Sequence, residues 1–155
     1  MAALSALLST IATAIANDSA LDTYCKAQFG GKSISVYVHI DPKNPPSISK
    51  APWVGLTVQS YSRPGEHNGD VTTFDLESAV YCEKSSETTS GKVTTLDGFA
   101  IVETLSDMVF AIIETAVTQS DTQTTMDYLN EQSTSIGIAE HPGWIAARNW
   151  QVVKL

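Results

Sequence analysis

Apolar and polar positions along this chain follow two different periods, and the points where the period changes divide it into elements. Leu4, Leu8, Ile11 and Ile15 recur at helical spacing, so residues 3–16 read as an amphipathic helix. Asn17-Asp18-Ser19 breaks that helix. Asp18 or Ser19 can cap a second, shorter one carrying Leu21, Tyr24 and Cys25, which Gly30-Gly31 ends. From 33 to 41 the period becomes two: Ile34, Val36, Val38 and Ile40 share one face, and Ser35, Tyr37 and His39 share the other, the mark of a half-buried strand. Pro42, Pro45, Pro46 and Pro52 then make 41–52 an extended loop, because proline lacks an N–H and fixes φ.

A second strand spans 53–61 with Val54, Leu56 and Val58 in phase. Arg63-Pro64-Gly65 and Asn68-Gly69-Asp70 mark a tight reversal, and a third strand follows over 71–83, which favours an antiparallel pair. In that strand Phe74, Leu76, Val80 and Cys82 face one way; Thr73, Asp75, Glu77 and Tyr81 face the other. The Ser/Thr-rich 84–95 reads as a mobile loop. The second main helix, 97–117, has Asp97 as its expected N-cap. Val102, Leu105, Val109, Ile112 and Ala116 form its stripe, widened by Ile101, Met108 and Ile113. Residues 118–127 read as loop and 133–140 as a strand with Ile136 and Ile138. His141-Pro142-Gly143 suits a type II turn, and 144–155 is the last strand, with Trp144, Trp150 and Val152 in phase. Arg148 falls in that phase too, which places it near a sheet edge. The fold class expected is α+β: an antiparallel-rich mixed sheet of about five strands with two main helices packed on one face. No repeat or shift in composition divides residues 1–155, which read as one domain.

Composition narrows the function classes. A hydrophobic fraction of 43% is too high for a disordered chain. The net charge of −8, with no basic run, argues against a nucleic-acid grip, since phosphate binding draws on clustered Lys and Arg. The same charge suits a protein that DNA slides past without adhering. Cys25 and Cys82 are too few for a disulfide scaffold and are expected reduced and at least partly buried, with a single bridge as the alternative. Ala14-Ile15-Ala16 resembles a signal-cleavage site. However, no Lys or Arg precedes it, and Ser5, Ser9, Thr10 and Thr13 interrupt the apolar run, so a helix is expected there. No stretch is apolar and long enough to span a bilayer.

Chemistry-bearing patterns are sparse. Gly30-Gly31-Lys32-Ser33 precedes a strand instead of opening a helix and reads as a turn, not a phosphate loop. No Gly-x-Ser-x-Gly elbow, HExxH or CxxC occurs. His39, Asp41, His67 and His141 are the residues an irregular metal-dependent hydrolase would draw on, although solvated turn positions explain them better. Asp75 and Glu77 share a strand face but read as a solvated pair. The tryptophans and tyrosines lack basic neighbours and read as packing residues. No catalytic residue, metal ligand or cofactor is assigned.

One longer pattern remains. A short helix ends in Phe29-Gly30-Gly31 and leads into an alternating strand ending at Asp41; Asn44-Pro45-Pro46 and Ala51-Pro52-Trp53-Val54-Gly55-Leu56 follow. With the long third strand, the Ser/Thr segment, the amphipathic helix and the terminal strands, this order resembles the tail-terminator (neck, or tail-completion) proteins of bacteriophages and prophages. The resemblance covers nearly the whole chain as an order of elements. It implies a non-enzymatic virion subunit, made in the host cytoplasm, that forms a homohexameric ring on the end of the tail tube. Such a ring meets the head connector and lets DNA pass. Its implied partners are further copies of itself, tail-tube proteins and connector proteins, with no membrane. The expected interface comprises Lys43, Asn44, Pro45 and Pro46 in the proline loop, Ile113 on the broad helix stripe and Trp150 on the last strand. Beside it stand two other readings, a small monomeric metal-dependent hydrolase and an acidic module that binds a basic protein.

Overall fold

Helical periodicity at the start of the chain becomes two helices in the computed structural model, which describes residues 2–41, 43–62, 72–120, 124–127, 133–139 and 142–154. Helix α1 (Ala2–Asn17) buries Leu7, Leu8, Ile11 and Ile15. Asp18 caps α2 (Ser19–Gln28), its carboxylate accepting the Leu21 N–H at 2.7 Å. After Phe29, Gly30 and Gly31 take φ of +62° and +87°, and the Gly31 N–H returns to the Lys26 carbonyl at 2.9 Å, closing the helix.

The strands are β1 (Ser35–Val38), β2 (Trp53–Ser62), β3 (Thr72–Glu83), β4 (Glu87–Ser90), β5 (Val93–Leu96), β6 (Thr124–Asp127), β7 (Ser133–Ile138) and β8 (Gly143–Lys154), with α3 (Asp97–Ser120) between β5 and β6. Six of them form one sheet in the order β1-β2-β3-β8, with β6 and β7 both on the far edge of β8. β1 runs parallel to β2 and every other pair is antiparallel, so the α+β class and the mixed sheet are as expected. The reversal expected between β2 and β3, at 63–70, lies outside the described residues, as do His67 and His141.

The three α-helices among the described residues pack on one face of this sheet. Val54 and Leu56 of β2, Leu76, Val80 and Cys82 of β3, and Trp144, Ala146, Trp150 and Val152 of β8 meet the inward rows of α1, α2 and α3 in one core. Val102, Leu105, Val109 and Ile113 of α3 are all 0% exposed. Burying each such side chain is worth about 1.5–3 kcal/mol relative to leaving it in water. Cys25 and Cys82 are free and buried in the same core, and burial pushes their thiols up to about 11 and about 12. Trp144 donates its indole N–H to the Lys84 carbonyl at 3.1 Å. It also crosses α3 at Gly98, where any Cβ would strike the indole ring.

Four expectations are corrected. β8 is a central strand, so Arg148 is not near an edge. It points under α3, where its Nε donates to Ser106 Oγ at 3.0 Å, its guanidinium pairs with Asp107, and it lies 5.1 Å from the centre of the Phe110 ring. Residues 84–95 are no loop: β4 and β5 form a hairpin, because the β-branched pairs Thr88-Thr89 and Thr94-Thr95 favour extended backbone even without an apolar rhythm. The segment 118–127 holds the end of α3 and strand β6. Ile34, just before β1, and Val36 within it pack on the helical core, but the strand ends at Val38. His39, at φ +58°, then turns Ile40 to the opposite face.

Candidate docking surfaces

The face of the sheet away from the helices is not covered by any helix among the described residues, and its two ends differ in chemistry. Register aligns Trp53, Tyr81 and Ile145 in one row across β2, β3 and β8. Trp53 stacks on Tyr81 with ring centres 5.3 Å apart, and Tyr37 meets Trp53 edge-on at 6.4 Å. Ile40 closes over Gly55, whose missing side chain gives it room. Next in order comes a row of small residues, Gly55, Ala79 and Ala147, and beyond it a polar row of Thr57, Glu77 and Asn149. There Gln59 Nε2 donates to Glu77 Oε2 at 2.8 Å. Asp75 lies one row further on, opposite Gln151, and both Asp75 and Glu77 are half-buried.

At the aromatic end the surface sinks into a groove of about 510 Å³. Its floor is the Trp53–Tyr81–Ile145 row. Pro45, Pro46 and Ile48 form one wall; Ala139 and Pro142 form the other, and Glu83 stands at one end. The Tyr81 hydroxyl lies 3.5 Å from Glu83 Oε1. Trp53 Nε1 is buried with no hydrogen-bond partner among the described residues, a local cost that folded domains seldom carry. Ile48, on a single 3-10 turn (Ile48–Lys50), is 58% exposed beside the groove. The loop entering this wall is shaped by Asp41, whose side chain accepts the Lys43 N–H and whose carbonyl accepts the Asn44 N–H, both at 2.9 Å.

The expected interface residues therefore separate. Lys43, Asn44 and Pro45 are exposed, and Pro45 and the half-buried Pro46 wall the groove. Ile113 and Trp150 are corrections: at 0% and 2% exposure both belong to the core, Trp150 meeting Phe110 edge-on at 5.7 Å. A stripe as broad as that of α3 is what a helix needs to cover a sheet already flanked by a neighbouring helix. The phase of Trp150 likewise points it beneath that helix. Of the residues weighed for a hydrolase, His39 and Asp41 are exposed at the end of β1, and no group of three His, Cys, Asp or Glu among the described residues is placed to hold a metal ion.

A second surface escaped the sequence pattern. The β4–β5 hairpin joins no other strand among the described residues, and all of its strand positions are exposed except the half-buried Leu96. Its base is fastened to the start of α3. Ser86 Oγ and Thr88 Oγ1 donate to the two carboxylate oxygens of Asp97 at 2.7 and 2.8 Å, which holds the Asp97 carboxyl below its ordinary range. Asp97 is thus the first residue of α3 and the anchor of an arm. No single helix among the described residues is long and apolar enough to cross a membrane. No protein-family model matches this chain, and no curated protein matches it significantly.

Proposed function

We propose that this protein is a structural subunit that acts by docking to other proteins, in the manner of a phage tail terminator. It would form a homo-oligomeric ring, hexameric in that family, which caps the tail tube, meets the head connector and leaves DNA free to pass. The observation that carries this reading is the apolar groove on the sheet face that no helix among the described residues covers. A groove floored by a tryptophan, a tyrosine and an isoleucine and walled by prolines is the composition of a protein contact. Prolines lose little freedom when such a wall is covered. The acidic charge of −8 fits a ring through which a polyanion passes without sticking.

Co-sedimentation with purified tail tubes, followed by electron microscopy of the tube ends, tests the proposal. Stoichiometric end-capping by the wild-type chain is expected. Ile48→Glu, at an exposed position on the groove rim, should abolish capping while leaving the melting curve unchanged. Absence of wild-type binding to tubes and connectors alike would reject the reading.

A further inference from the structure

We propose that copies of this chain join head to tail, with the β4–β5 arm of one copy adding antiparallel to the free edge of β1 in the next and lying over that copy's α1. The proposal rests on the subunit reading and names the surfaces by which the ring would close. The arm needs a partner: a two-stranded ribbon wet on both faces is marginal in water, yet this one is formed and its base is pinned to α3 through Asp97. Its outer strand β5 is uncharged, and Val93 is 66% exposed.

The acceptor is an incomplete sheet edge. β1 pairs only with β2 among the described residues. By strand alternation the backbone groups of Val36 and Val38 point away from β2, and Val38 is 41% exposed. Alongside that edge, α1 and β1 enclose a hollow of about 400 Å³, lined by Ser9, Ala12 and Thr13 together with Val36 and Val38. The whole of α1 contains no ionisable side chain. On a chain of net charge −8, this is the flank that another copy can approach with least repulsion.

Charge also selects the direction. Lys32 precedes β1 and Asp41 follows it; on the arm, Glu87 lies across from Leu96 at the base and Lys92 forms the tip. All four are exposed. Laying β5 antiparallel to β1 puts Glu87 beside Lys32 and Lys92 beside Asp41. Laying it parallel would set Lys92 against Lys32 and Glu87 against Asp41. Main-chain pairing supplies the adhesion, as in other strand additions, and the end charges set its sense. Because arm and edge are different surfaces, the contact is heterologous and closes into a ring when its rotation allows.

Sedimentation velocity of the full chain over a concentration series, alone and with tail-tube protein, tests this with a charge-swap pair. Glu87→Lys and Lys32→Glu should each weaken self-association at least tenfold without altering the melting curve. The double variant should restore it, and Thr13→Glu in the hollow should abolish it. If the wild type assembles and none of these variants differs from it, the arm-to-edge contact is wrong while the subunit reading stands. If the wild type stays monomeric at its highest soluble concentration and with tube protein, the subunit reading fails and takes the contact with it.

Discussion

Helices α1 and α3 cover the same face of one sheet and bury the same kind of side chain, yet their outer faces have little in common. α3 exposes Glu103 and Asp107 and half-exposes Glu114, the usual dress of a helix in water. α1 exposes Ser5, Ala6, Ser9, Thr10, Thr13 and Ala16, with no charge along its 16 residues. The inner faces match because the hydrophobic effect is non-directional and asks only for apolar area in phase. The outer faces are free of that demand and record what each will meet. Stripping water from a carboxylate is costly, whereas a helix of alanine and hydroxyl residues is covered cheaply.

The comparison can be attacked first where the helices agree. Ile11→Asp in α1 and Leu105→Asp in α3 each bury an unpaired charge at a site that is 0% exposed, and both variants should fail to fold, as read by circular dichroism. A wild-type melt for either would show that the two inner faces are not equivalent. Next comes the tie that only α3 possesses. Arg148→Met should keep the packing beneath Phe110 but strand the buried Ser106 hydroxyl, lowering urea stability by about 1–3 kcal/mol.

The outer faces supply a smaller but more telling contrast. Thr13→Glu and Thr104→Glu both place a charge on an exposed helical site. Each should change the stability of the isolated domain by no more than about 0.5 kcal/mol. Only the α1 variant should lose self-association by light scattering, and an equal loss from both would erase the distinction between the helices. The smallest effect concerns pH. Because the Ser86 and Thr88 hydroxyls hold the Asp97 carboxyl below 3.8, their contribution is complete above that value and disappears as pH falls through the depressed one. The amide resonances of residues 87–96 should therefore move toward random-coil positions in acid before those of α3 do.

Much of this architecture could be read from residue order because it depends on local periodicity. The faces of β2 and β3, the inward row of α3, the cap at Asp18 and the glycine stop after Phe29 all follow from patterns a few residues long. Three features were hidden for specific reasons. The arm lacks an apolar rhythm, so its threonines read as loop. β1 stops short because His39 takes a positive φ, which no period announces. Arg148 looked like an edge residue because a charge in an apolar phase usually is one, and its partners Ser106 and Asp107 lie on a helix some forty positions away in sequence. The groove is half legible: its proline wall stands out in the sequence, but its floor joins residues of three strands.

By itself, then, the sequence determined which residues turn inward and roughly where the chain bends, since amphipathic period and turn chemistry act over a single element. It also determined the net charge of −8. Tertiary structure alone decided that β8 runs through the middle of the sheet, that Trp150 and Ile113 are core, that an aromatic row floors a groove on the face away from the helices, and that an arm and a sheet edge carry opposite end charges. Those outcomes depend on which distant segments pair, and pairing is settled by the free energy of the assembled domain, to which no single stretch of sequence holds the key.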